Sequence, residues 1–226
     1  MGKGRRALVL ALALLGFAAP LAAQERRLAP VDEAAADASW GAFRERLLAA
    51  LERRDREFVI SILAPDVRGG LDPGRGPAEF ARQWFLDEPD SPLWRELPAA
   101  LALGSAYVER DGGGRELCAP YLLGKWPREL DPRAHGVVIG REVALKAEPT
   151  AQSATLGKLS YHIVAVSDWE VADRGGVAGR HWVKVRAGAR EGYLPEDRIR
   201  SAVEHAACFV RTGDGWRLRA FAPAGG

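Results

Sequence analysis

Two cysteines, four histidines and a few close-set carboxylates are the residues of this chain best suited to chemistry. A cysteine nucleophile needs a thiolate, held by a nearby base or cation. Cys118 lies in the apolar run Leu117-Cys118-Ala119-Pro120, a setting that favours a structural sulfur over a reactive one. His135, His162, His181 and His205 lie far apart and show no zinc-ligand spacing, so no metal site is expected. Asp87, Glu88 and Asp90, and the adjacent Glu196 and Asp197, fall in turn-like stretches where acids are ordinarily solvated. No Gly-x-Ser-x-Gly elbow occurs, and the glycine-rich stretch 69–76 lacks the Lys-Ser/Thr pair of a phosphate loop. The expectation is no catalytic residue, no metal and no cofactor.

The elements that would carry such groups begin with a leader. Lys3, Arg5 and Arg6 precede an uncharged run from Ala7 to Phe17, and Pro20 and Leu21-Ala22-Ala23 precede Gln24. This is the pattern of a cleaved export signal over residues 1–23, too short in its apolar part to span a membrane. Loss of Lys3, Arg5 and Arg6 from 32 basic residues leaves 29 against 30 acids. With no basic tract left, nucleic acid is excluded as a partner. No later apolar run is long enough for a transmembrane anchor. The expected location is extracytoplasmic, periplasmic or secreted.

Residues 24–38 read as a mobile lead-in. Trp40, Phe43, Leu47, Leu48 and Leu51 then recur at helical spacing over 39–54, with Ser39 as N-cap. Residues 56–63 fit either helix or strand, ended by Pro65. Helices are expected at 77–86 and 92–103, and a hairpin turns at Gly112–Gly114 with its return strand at 117–122. Residues 126–134, with two prolines, read as a linker. Short β-rich runs follow at 137–145, 157–166, 181–185 and 192–194. The expected fold class is α+β: a helical, curved-sheet domain over 24–134, and a small β-barrel over 135–201.

The second half carries a motif series. Leu145-Lys146-Ala147-Glu148-Pro149 leads to Leu156-Gly157-Lys158-Leu159, then Trp182-Val183-Lys184-Val185, then Gly192-Tyr193-Leu194. In order and spacing this resembles the bacterial SH3-like (SH3b) domain. It departs from the family pattern in having Lys146 where arginine is usual, and in a long loop expected over 167–180. The resemblance implies a barrel with Val143, Leu145, Leu156, Leu159, Val164, Trp182 and Val185 inward. It also implies an exported module that binds a peptide, peptidoglycan or an envelope protein. Tyr161, Trp169 and Tyr193 are the candidate ligand contacts, since SH3-type grooves bind extended peptides with exposed aromatics. Trp169, between two acids in the expected loop, is favoured over Trp182 as a surface contact. The alternative is an exported cell-wall hydrolase with the barrel as targeting domain. Peptidases of that kind set their cysteine in an Asp-Cys-Ser-Gly-like context, which Cys118 lacks.

Beyond the barrel, residues 204–211 and 216–222 read as a hairpin around Thr212-Gly213-Asp214-Gly215. Trp216, Leu218 and Ala220 are expected on one face, with Arg217 and Arg219 on the other. The barrel pattern ends near residue 200, so this hairpin is expected to return to the N-terminal sheet and leave the barrel as an insertion. Helices followed by a curved sheet ending in such a hairpin are similar to nuclear-transport-factor-like folds. Cys118 and Cys208 both fall in expected strands with no third cysteine to compete. They form either a disulfide or two buried free thiols.

Overall fold

The computed structural model describes residues 25–110 and 112–224. The leader and its cleavage point lie outside the described residues. Helix α1 spans Ala38–Glu52, and its N-cap is Asp37 rather than Ser39. The Asp37 carboxylate accepts from the Ser39 and Trp40 amides at 2.8 and 3.2 Å. Ser39 instead accepts the Trp216 indole N–H at 3.1 Å. At the other end Arg54 takes φ 54°, its amide donating to Leu51 and the Asp55 amide to Ala50. This is a Schellman closure of the last carbonyls.

Asp55 then caps α2 (Arg56–Ser61), and strand β1 (Leu63–Arg68) follows. The undecided segment is thus helix first and strand second. Pro65 does not end it, because β1 is an edge strand that can spare one amide. Helices α3 (Pro77–Gln83) and α4 (Leu93–Leu101), strands β2 (Ala106–Glu109) and β3 (Arg115–Ala119), and the short α5 (Leu122–Lys125) complete the first half. Strand β3 ends at Ala119, short of the return strand expected over 117–122, whose last residue Leu122 opens α5. Residues 126–134 contain neither helix nor strand.

The first sheet has the order β1-β12-β11-β3-β2, where β11 is His205–Thr212 and β12 is Gly215–Pro223. The terminal hairpin therefore does sit in the sheet of the N-terminal half, with β11 antiparallel to β3 and β12 parallel to β1. One face packs on the helices: Trp40, Phe43 and Leu47 of α1 meet Phe209, Trp216, Leu218 and Phe221. The expected side assignment of β12 is corrected by a bulge. Cys208 pairs with Ala220 and Phe209 with Leu218, so Arg219 is an extra residue. Past the bulge Ala220 turns to the disulfide's face and Phe221 enters the helix-side core.

The second sheet has the order β10-β4-β7-β8-β9-β5-β6. Its strands are β4 (His135–Val138), β5 (Val143–Lys146), β6 (Thr155–Leu159), β7 (Ile163–Ala172), β8 (His181–Ala187), β9 (Arg190–Pro195) and β10 (Ile199–Arg200). Two expected runs, 137–145 and 157–166, are each broken by a turn. The expected loop 167–180 is instead strand as far as Ala172, with register shifts that bend β7 on either side of Asp168. Leu145, Leu159, Val164, Trp182 and Val185 are buried as expected, and Val143 is half-buried. Leu156 is 40% exposed, so its inward assignment is wrong. Leu145 pairs with Gly157 and Lys146 with Thr155, so Leu156 is the extra residue of a bulge in β6 and leaves the inward alternation that Leu159 keeps.

The lead-in is not mobile chain but a strap over both sheets. The Leu28 amide donates to Tyr161 O at 2.8 Å, the Ile163 amide to Arg26 O at 2.9 Å, and the Tyr107 amide to the Glu33 carboxylate at 2.7 Å. Gly104, at φ +79°, lets the strap come close, because a Cβ there would stand 2.3 Å from the Val31 carbonyl oxygen. Ala106, Tyr121, Leu122, Val137 and Ala202 form an apolar cluster that joins the two sheets. Among the described residues no helix is long and apolar enough to cross a membrane.

Candidate functional site at the seam of the sheets

The three aromatic candidates occupy different places. Tyr161 stands in the turn between β6 and β7 with φ +58°, a left-handed backbone that a bulky residue rarely adopts. Its amide donates to Gly140 O at 3.1 Å and its carbonyl accepts the strap's Leu28 amide, so the turn is fixed from two sides. The Arg141 guanidinium lies 5.6 Å from its ring centroid, within cation–π range. Trp169 stands in β7, not in a loop, half-buried against the second sheet's core. Its ring edge lies 2.9 Å from where a Cβ on Gly136 would be, so a bare glycine makes room for it. Tyr193 is in β9, opposite Lys146 and Lys184 on its flanking strands. Trp182 is buried, its indole N–H donating to Asp173 at 2.7 Å. That hydrogen bond is the main cause holding Asp173 below the usual carboxylate range.

Only Tyr161 among the three lines a cleft at the seam. This cleft encloses ≈ 430 Å³. The strap's Val31, Leu103 beyond α4, and Ile139 give it apolar walls, and Arg44, Asp32 and Tyr121 give it polar groups. Arg44 donates to Leu101 O at 2.9 Å, which closes the end of α4 and fixes the guanidinium at the wall. Asp32 accepts the Ser105 hydroxyl at 2.6 Å. Tyr121 donates to Leu28 O at 2.6 Å, and burial, with Tyr161 nearby, pushes its pKa up to about 12. It therefore stays a neutral hydrogen-bonding group. Apolar walls with a few fixed polar groups, at a junction of two packed units, are the usual make-up of a ligand site.

A second cleft of ≈ 490 Å³ opens beside Trp182, between Arg180–His181 and Glu196–Arg198. It holds none of the three aromatic candidates.

The sulfurs of Cys118 and Cys208 are joined, with Cα atoms 4.1 Å apart on directly paired positions of β3 and β11. The bridge leaves no thiolate at Cys118 for nucleophilic attack. Glu116 lies close to both sulfurs, but bridged sulfurs are not thiolate ligands for a metal.

Sequence reasoning missed the strap, Arg44 and His162. Buried His162 accepts the Ser160 amide at Nδ1 and faces Glu25 at 3.0 Å through Nε2. The alternating pattern that marks strands carries no signal for such a strap, whose hydrogen bonds run to distant chain. No protein-family model, no curated protein and no solved structure matches the chain.

Proposed function

We propose that this is an exported cell-envelope interaction protein. In this proposal residues 135–201 are an SH3b-like barrel inserted into an α+β domain completed by the terminal hairpin. The seam cleft at Tyr161 binds an extended peptide, either free, on a partner protein or as part of the cell wall. The observation that carries the proposal is Tyr161 itself, a half-buried aromatic held in a left-handed turn beside a cleft with apolar walls and a fixed guanidinium. Backbone held in a sparsely populated region commonly marks a binding site, because surrounding contacts must maintain it.

The barrel assignment draws support from the motif residues Leu145, Leu159, Val183, Val185 and Leu194, which share one core. The insertion draws support from β4 and β10, the first and last strands of the segment. They pair directly, Val138 with Ile199, so both chain ends leave side by side. Export fits the disulfide, which persists in oxidising compartments. Arg44 in the cleft wall and Arg141 beside the Tyr161 ring favour a peptide that carries a free carboxylate.

The test incubates mature protein with purified sacculi, with soluble stem peptides and with envelope extract. The expected result is saturable binding to one of these, lost in Tyr161→Ser protein whose circular dichroism is unchanged. Equal binding by the folded variant, or no binding to any of the three, would refute the proposal.

A further inference from the structure

We infer that the first sheet carries a second, separate site, an arginine-lined cleft that binds small ligands bearing phosphate or carboxylate groups. Arg68 at the end of β1, Arg75 in the loop beyond it, Arg110 after β2 and Arg219 of β12 line a cavity of ≈ 370 Å³ with Glu109 and Glu116. Four guanidiniums against two carboxylates leave the lining net positive.

Half of this cluster is built into the fold. Glu116, with a side chain only 14% exposed, lies 2.9 Å from Arg219 Nε and 3.2 Å from Arg110 Nε, so one carboxylate anchors two guanidiniums. Arg219 reaches a further acid, Asp66 of β1, at 3.2 Å. It points to this face by ordinary alternation from Leu218, and as the extra residue of the β12 bulge it is followed by Ala220 on the same side.

The other half has no such anchor: among the described residues the Arg68 and Arg75 guanidiniums form no ion pair or side-chain hydrogen bond. Solvated arginines are ordinary on a surface. Two of them facing a cavity whose other cations are already held in place leave forked donors free to take an oxyanion. Phosphate esters and carboxylates share the planar or tetrahedral oxygen geometry that this fork recognises. The cleft is lined by the first half of the chain and the terminal hairpin and includes no residue of the Tyr161 site, so either site can fail without the other.

The experiment titrates the oxidised mature protein with sodium phosphate and, separately, with sodium citrate. Calorimetry and thermal melts are followed at an ionic strength held constant with chloride. The expected result is a saturable rise in melting temperature that chloride does not give. Arg68→Gln and Arg75→Gln should each weaken it roughly tenfold, as loss of one charge-assisted contact does. Arg53→Gln, whose arginine pairs with Asp55 elsewhere, serves as the control and should bind like the parent. A response to phosphate alone assigns phosphate esters, a response to citrate alone assigns carboxylates, and both support the site. Equal binding by the folded Arg68→Gln/Arg75→Gln protein, or a response that follows ionic strength only, would overturn it.

Discussion

Replacing Cys118 and Cys208 together by alanine removes a link that closes a sequence separation of 90 residues. If the whole intervening chain is disordered on unfolding, loop-closure entropy makes that link worth about 4.6 kcal/mol. The intervening chain includes the second sheet, which has its own core, and whose end strands β4 and β10 are paired. If that sheet stays folded while the first one unfolds, it acts as a short tie between residues 134 and 201. The free loop then falls to about two dozen residues, and the same relation gives about 3.4 kcal/mol. The two figures therefore separate an autonomous insertion from a single cooperative unit. The assay is guanidinium unfolding of oxidised and Cys118→Ala/Cys208→Ala protein, followed by tryptophan fluorescence. Autonomy predicts two transitions, with only that of the first sheet shifted, by the smaller amount. One shared transition shifted by the larger amount would refute autonomy, and a shift below about 1 kcal/mol would refute the loop-closure account altogether.

Three further predictions follow from individual side chains. Leu156→Ser should change stability by no more than about 0.5 kcal/mol, whereas Leu145→Ala should cost about 2–5 kcal/mol, and similar costs by chemical denaturation would contradict the register of β5 and β6. Phe85 takes the left-handed position after α3 with φ 50° and is 61% exposed, so Phe85→Gly should stabilise by about 1 kcal/mol. A lower melting temperature in that variant would show that Phe85 packs in solution. Burial first, then Arg200, hold His205 below the usual histidine range, with Glu96 opposing. The unfolded chain then takes up the proton first, so the stability tied to neutral His205 is full above about pH 6.5 and is lost as pH falls toward the lower folded value. Burial raises the neighbouring Glu204, which gives the opposite slope above the ordinary glutamate value. His205→Gln should therefore flatten the fall in melting temperature between pH 7 and pH 5.5, and an unchanged slope would assign that dependence to other groups.

Helical periodicity marked α1, and the turn residues Thr212–Gly215 marked the terminal hairpin, because both signals are local. The return of that hairpin to the first sheet was legible from a need to bury Trp216, which now packs against Trp40 at 5.1 Å. The same return sets Cys118 opposite Cys208, a pairing the sequence left open against two free thiols. What stayed hidden depends on register and long-range contact. The bulge at Arg219 inverts the facing of Ala220, and alternation along β12 alone cannot show it. Trp169 between two acids resembled a loop residue, but the cross-strand pairing of β7 with β8 extends past it. The candidate site draws Tyr161, Arg44 and Val31 from segments more than a hundred residues apart at the extremes, with no motif among them.

The central claim is that ligand enters the seam cleft at Tyr161. Hydrogen–deuterium exchange of the mature protein, with and without saturating sacculi-derived stem peptide or whichever envelope peptide it binds, tests that claim most directly. The account predicts new protection at residues 28–32, 102–104 and 139–141 and around Tyr161. Protection confined to 179–182 and 195–198, at the cleft beside Trp182, would contradict it.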